Sequence, residues 1–265
     1  ALAEVSPELS GLVQMTLSSL KDQNPDLDFK KSLIGNLGND IMTFQKKPRA
    51  ATLAALNSAP TLTLLGSPNA DALLKTVRQL VGLFPPPAND VKEQEFLGRK
   101  IYSLASPFPM AQGPEAESRL FFSASGGYLV FSPDVTLIEE YLRSGEKPGK
   151  SLREMTGLNE AAQRVGGMNT GLFGYENQLE TMRVVWEVLK KEPGVFEQAF
   201  GLSPVMGRSD VKEASKDILE WLDFSLLPEF DKVSRYFHFS VYAGSARADG
   251  LSMRFFLPVP PQLKK

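Results

Sequence analysis

The sequence predicts an α+β protein of two similar lobes, each a curved antiparallel or mixed sheet with helices packed on one face. Three observations carry that reading. Runs of alternating apolar and polar residues meet at glycine turns, the mark of antiparallel hairpins. A strand, a turn and an amphipathic helix follow one another over residues 61–83 and again over 168–191. With 265 residues, 42% of them hydrophobic, the chain is long enough for one large core or two modest ones. The lobes are placed at 1–145 and 151–265, the second a divergent repeat of the first. The short polar run Ser144–Lys150 joins them.

In the first lobe, Ser6 and Pro7 open a helix to residue 24, with Leu9, Leu12, Val13, Leu17 and Leu20 on one face. A weaker helical piece covers 29–37, where Gly35 lowers the propensity. Ile41–Gln45 reads as a short strand, 50–57 as a short helix and 61–66 as a strand. Ser67-Pro68 then leads into a helix from Ala70 to Leu83, with Leu73, Leu74, Val77, Leu80 and Val81 as its stripe. The run Phe84-Pro85-Pro86-Pro87 stops it and holds the chain extended.

Residues 95–104 read as one strand entered through Gly98. Residues 119–131 read as a hairpin on Gly126-Gly127, which sets Leu120, Phe122 and Ala124 on the same face as Leu129 and Phe131. Ser132-Pro133-Asp134 opens a helix through Tyr141. Ser67 and Ser132 are read as caps rather than nucleophiles, since neither sits in a G-x-S-x-G turn.

In the second lobe, 151–165 reads as a loop and helix, 168–175 as a glycine-broken strand and 179–191 as a strong helix. Residues 195–206 are weakly helical, and 211–221 carry Val211, Ala214 and Ile218 at helical spacing. The last hairpin runs from Tyr236 to Leu257. A three-residue loop Ala248-Asp249-Gly250 pairs Arg247 with Leu251, gives Gly250 a positive φ, and gathers Val241, Ala243, Met253, Phe255 and Leu257 on one buried face.

The chemistry is sparse. There is no Cys, which excludes disulfides, thiolate nucleophiles and cysteine metal sites. Formal net charge is -2, which offers no long-range field for nucleic acid or an anionic membrane. No stretch approaches the roughly 18 apolar residues of a membrane helix. His238, the only histidine, lies on a strand face with Tyr236, Ser240 and Tyr242, and no H-x-x-x-H or H-E-x-x-H spacing accompanies it. Acid pairs stand at Asp26/Asp28, Glu93/Glu95, Glu115/Glu117 and Glu139/Glu140, but glycosidase chemistry needs two carboxylates converging across a cleft.

The glycines at 35 and 38, at 126 and 127, and at 166, 167, 171 and 174 lack the order of a P-loop or a dinucleotide fingerprint and read as turns. Phe84, Phe108, Phe173 and Tyr175 line an apolar groove if they meet in space. The sequence therefore assigns no catalytic residue, no cofactor-binding residue, no metal ligand and no cofactor.

Three stretches carry a resemblance: Leu33–Asp40, then Gly127–Ser132, and Leu226–Pro261 with its turn Ala248-Asp249-Gly250-Leu251. In them the chain resembles uncharacterised exported proteins of bacteria that sit in the cell envelope behind an N-terminal signal or anchor. The resemblance implies a periplasmic or envelope-associated location and carries no catalytic residues. The first residues, Ala1-Leu2-Ala3-Glu4, read as a cut inside a longer chain. The leading expectation is a non-enzymatic binding or scaffold module whose partner is a protein or an apolar ligand. A lipid or apolar-ligand carrier with a sheet-lined cavity and a carboxylate hydrolase are the alternatives.

Overall fold

A computed structural model describes residues 29–82, 89–105, 119–146, 149–192, 223–247 and 250–263. The helices expected over 6–24, 195–206 and 211–221, the triple proline, and Ala248-Asp249 lie outside them. The chain divides into two compact units, Ala1–Lys46 with Pro60–Pro148, and Lys47–Ala59 with Gly149–Lys265. No helix among the described residues is long and apolar enough to cross a membrane.

The first unit is built on a six-stranded antiparallel sheet in the order β1-β2-β6-β5-β4-β3. Its strands are β1 (Ile41–Gln45), β2 (Thr61–Gly66), β3 (Lys92–Phe96), β4 (Arg99–Ala105), β5 (Arg119–Ser125) and β6 (Tyr128–Ser132). Hairpin β5–β6 turns on Gly126 and Gly127, at φ 60° and 80°. Two successive positive φ values match the right-handed twist of the strands. The resulting register, Phe122 opposite Phe131 and Ala124 opposite Leu129, is the expected one. Hairpin β3–β4 turns in the same way on Leu97 and Gly98, at φ 51° and 69°. The single strand expected over 95–104 is thus two strands folded back on each other.

Two helices cover this sheet, one on each face. Helix α1 (Ala70–Val81) lays Leu74, Val77 and Val81 on Tyr102, Leu104 and Phe122. Helix α2 (Val135–Glu146) lays Leu137, Ile138 and Leu142 on Leu62, Leu64, Ile101 and Val130. Phe121 packs with the α2 cluster and its neighbour Phe122 with the α1 cluster, so the clusters lie on opposite faces. The expectation of helices on one face is corrected here. β6 is apolar on both faces, which one-sided cover does not satisfy.

Both helices are entered from a strand through Ser-Pro. The serine holds the turn and the helix cap sits two residues on. Ser67 Oγ accepts the Asn69 N–H at 3.1 Å, and Asn69 Oδ1 accepts the Ala72 N–H at 3.0 Å. Ser132 Oγ accepts the Asp134 N–H at 3.0 Å and donates to the Thr61 carbonyl at 2.9 Å, and Asp134 Oδ1 accepts the Thr136 N–H at 3.1 Å.

The second unit carries a three-stranded antiparallel sheet in the order β7-β8-β9, formed by Leu172–Glu176, Ser240–Arg247 and Gly250–Phe256. Helix α3 (Leu158–Val165) covers one face, packing Leu158, Ala161 and Val165 on Phe239, Val241 and Ala243, with Phe173, Tyr175 and Phe256 at the margin. Helix α4 (Gln178–Lys191) sets Trp186 edge-on to Phe230, which stacks on Phe237. Six strands against three make two α+β units of unequal size, not the similar lobes the repeated strand–turn–helix order predicts. That order does recur, as β2 into α1 and β7 into α4. It fixes a local motif and not the number of strands around it.

The last hairpin is a second correction. Arg247 pairs with Gly250, and Tyr242 with Phe255. A shift of one residue from the expected register inverts every side chain of the return strand. Phe256 joins the core margin, while Leu251, Met253 and Phe255 project from the other face and Leu257 is exposed. Gly250 takes the expected positive φ, 144°.

Candidate functional site

Three segments far apart in the chain meet at one end of the first unit's sheet and leave an open depression of about 600 Å³. The segment Leu37–Asp40 forms one side, the β5–β6 turn the other, and the β2–α1 junction Gly66-Ser67-Pro68 the floor. Close backbone approach requires glycine here. The Gly38 N–H donates to the Gly66 carbonyl at 2.6 Å, and a Cβ on Gly38 would stand 2.6 Å from that group. The Gly66 N–H donates to the Asp40 carbonyl, and the Ser67 N–H to the Gly127 carbonyl, each at 2.9 Å. Ser67 Oγ donates to the Asn36 carbonyl at 2.6 Å, so this hydroxyl is tied to the frame.

Asp40 is the acidic group of the depression. Its carboxylate lies against Gly66, where a Cβ would fall 1.9 Å from Oδ1. Tyr128 Oη donates to Asp40 Oδ2 at 3.0 Å. That hydrogen bond, then partial burial and the nearby negative charge, hold the Tyr128 phenol above its ordinary value. Burial raises the Tyr141 phenol too, with Tyr128 a smaller cause. Tyr141 Oη donates to the Ser125 carbonyl at 3.0 Å and backs the glycine turn. The depression offers a carboxylate and fixed backbone groups, and the Ser67 hydroxyl donates its proton to the Asn36 carbonyl rather than to a base.

The other residues singled out by sequence fall elsewhere. His238 precedes β8, its carbonyl accepting the Leu179 N–H at 3.1 Å and its ring lying 4.5 Å from that of Phe239. Tyr236 belongs to a 3-10 turn, not to the strand face expected for it. Glu93 on β3 pairs with Lys100 at 2.7 Å, which lowers its pKa. Glu140 on α2 pairs with Lys46 at the end of β1. Asp26, Asp28, Glu115, Glu117, Phe84 and Phe108 lie outside the described residues. Phe173 and Tyr175 pack on the α3 side of the small sheet rather than lining a groove. Among the described residues no three His, Asp or Glu side chains gather where a metal ion would sit.

Pro258, Pro260 and Pro261 mark the last strand as an edge, and β9 is one among the described residues; the edges of the large sheet carry no such signal. The outer edge of the large sheet at β3 reads Lys-Glu-Gln-Glu-Phe and is charged. The opposite edge, β1, reads Ile-Met-Thr-Phe-Gln, carries no charge, and is exposed throughout, with Ile41 at 70% and Phe44 at 52%. Phe44 pairs with Leu62 and so stands on the α2 face, while Ile41, opposite Leu65, stands on the other. Asp40 immediately precedes this strand. The strand itself was legible from its apolar run, but its edge position was not, because that depends on which strand β6 recruits. Comparison with family models, curated proteins and solved structures finds no match to this chain.

Proposed function

We propose that the chain is a binding module that takes an extended peptide segment of another protein along the edge of β1 that no strand among the described residues pairs. The observation that carries this reading is the contrast between the two edges of one sheet. Unpaired edges invite strand addition, and proteins blunt them with charge. Here β3 is blunted by Lys92, Glu93 and Glu95, whereas β1 presents apolar side chains on both faces. A peptide added to β1 gains main-chain hydrogen bonds from the edge and side-chain contacts alternately with Met42 and Phe44 on one face and Ile41 on the other. The exposed Asp40 carboxylate at the head of the strand selects a lysine or arginine at the peptide residue beside it. The ligand is therefore an extended, alternately apolar segment with one basic end. An exported, envelope-associated location goes with this reading on the resemblance alone, and cell fractionation with the full-length gene product tests it.

Selection of random ten-residue peptides displayed on phage against the whole chain tests the binding. The expected peptides alternate apolar residues and carry one basic residue. Synthetic versions lose affinity for the Phe44→Lys chain, and Asp40→Asn weakens them by about tenfold, the loss of one charge-assisted contact worth roughly 1.4 kcal/mol. Peptides that lack this pattern, or that bind Phe44→Lys and the parent alike, would refute the proposal.

A further inference from the structure

The three-stranded sheet of the second unit has its own unblunted edge. Strand β9 reads Gly-Leu-Ser-Met-Arg-Phe-Phe, pairs among the described residues with β8 on one side only, and is exposed along nearly its whole length. Leu251 is 86% exposed and Phe255 67%. Its one charge, Arg254, pairs with Ala243 and so lies on the α3 face. The other face is apolar: the Tyr242 ring lies across Gly174 and 5.9 Å from the Phe255 ring, and the Met253 sulfur lies over Gly244.

We propose that β9 pairs antiparallel with β9 of a second copy of this chain, about a twofold axis passing by Met253. The segment Leu251-Ser252-Met253-Arg254-Phe255 is complementary to itself in this register. Leu251 falls opposite Phe255 of the second copy and Met253 opposite its own mate, so apolar side chains meet on one face. Arg254 falls opposite Ser252, so no like charges meet on the other. Directly opposed residues interact most strongly, and opposed like charges are unfavourable. A twofold axis at Arg254 instead sets two guanidinium groups against each other. Any register that pairs odd with even residues sets apolar against polar ones.

The product is a continuous six-stranded sheet with both α3 helices on one side and one widened apolar face on the other. It uses a different unit and a different edge from the peptide site, so either reading can fail without the other. Strand pairing of this length gives a small interface, and the dimer forms at micromolar rather than nanomolar concentration.

The absence of native cysteine makes the test direct. Sedimentation of the whole chain over about 1 to 200 μM, the range of a weak interface, is expected to show a rise from 29.1 kDa toward twice that mass. Phe255→Lys stays at 29.1 kDa, whereas Phe44→Lys on β1 associates like the parent. Single-cysteine chains then fix the register under copper-phenanthroline oxidation. Met253→Cys links to itself, since opposed residues lie within disulfide reach. Leu251→Cys does not, being about 13 Å from its own mate, but it links to Phe255→Cys when the two chains are mixed. Circular dichroism matching the parent verifies that each variant is folded. A chain that stays monomeric throughout, association abolished by Phe44→Lys, or self-linking of Leu251→Cys would each overturn the proposal.

Discussion

Gly66→Ala is the sharpest probe of the depression. The new methyl falls 1.9 Å from Oδ1 and 2.8 Å from Cγ of Asp40, and 3.1 Å from the Asp40 carbonyl oxygen. The carboxylate is exposed and can rotate away, but in doing so it gives up the Tyr128 hydroxyl, a loss of about 1 kcal/mol. The carbonyl oxygen is held by the Gly66 N–H and cannot move far, and crowding against it costs roughly 1 kcal/mol more. Gly66→Ala should therefore destabilise the first unit by about 2 kcal/mol. Asp40→Ala alone should cost about 1 kcal/mol, the hydrogen bond only. The double variant should also lose about 2 kcal/mol instead of the additive 3, because the side-chain collision is already gone.

Urea unfolding followed by tyrosine near-ultraviolet dichroism is the appropriate assay. Both tryptophans, Trp186 and Trp221, belong to the second unit, so indole fluorescence does not follow the first. Additive single and double variants, or a Gly66→Ala chain as stable as the parent, would refute the contact argument.

Four further outcomes are expected. Phe122→Ala, at 1% exposure and in ring contact with Tyr102 and Phe131, should cost about 3–5 kcal/mol by leaving a cavity, read in the same unfolding assay. Gly174→Ala drives a methyl to within 2.0 Å of the Tyr242 ring, so the ring should leave the sheet face, seen as a change in its near-ultraviolet dichroism and a loss of roughly 1–3 kcal/mol in the second unit. Gly250→Ala should cost roughly 1 kcal/mol in denaturant unfolding, since φ of 144° disfavours a Cβ. Tyr128 should ionise later than free tyrosine in an absorbance titration at 295 nm, and Asp40→Asn should bring it back toward 10.0. Because the folded phenol holds its proton more tightly, the stability it contributes is complete below 10.0 and is lost as pH rises through the raised value. The stability gap between Asp40→Asn and the parent should accordingly narrow in strong alkali.

Local signals read correctly wherever two of them agreed. Alternation and a Gly-Gly turn fixed the β5–β6 register, and the apolar stripe of α1 fixed its buried side. Where a signal was absent or had to be weighed against another, the reading slipped. Leu97 takes a positive φ that a leucine does not advertise, and Lys-Glu-Gln-Glu is a poor strand by propensity, so β3 went unseen. On the last hairpin the burial argument presumed that Phe255 faces inward. The core needs Phe256, and the apolar run Leu251, Met253, Phe255 is there for an exposed face. The depression was half legible. Gly126 and Gly127 form the turn the sequence predicts, whereas Gly38 lies in an irregular segment, and only the tertiary fold brings the three to Gly66.

Every pairing in the large sheet except one joins strands that are neighbours in the chain. β3 to β6 form a four-strand meander, β1 and β2 a hairpin, and the ladder from Thr63–Phe131 to Gly66–Tyr128 is the sole seam between them. Closing that seam brings together residues on either side of the whole meander, so most of the ordering cost of long loops is concentrated in one step. The meander can form from local contacts and the hairpin attaches to it last. Opening of the sheet along this line would release β1 and β2 as one flap. The amides of Thr63–Gly66 and Tyr128–Phe131 should then exchange with deuterium as a group, and a peptide gripping β1 should slow or hasten them all together, although it touches none of them.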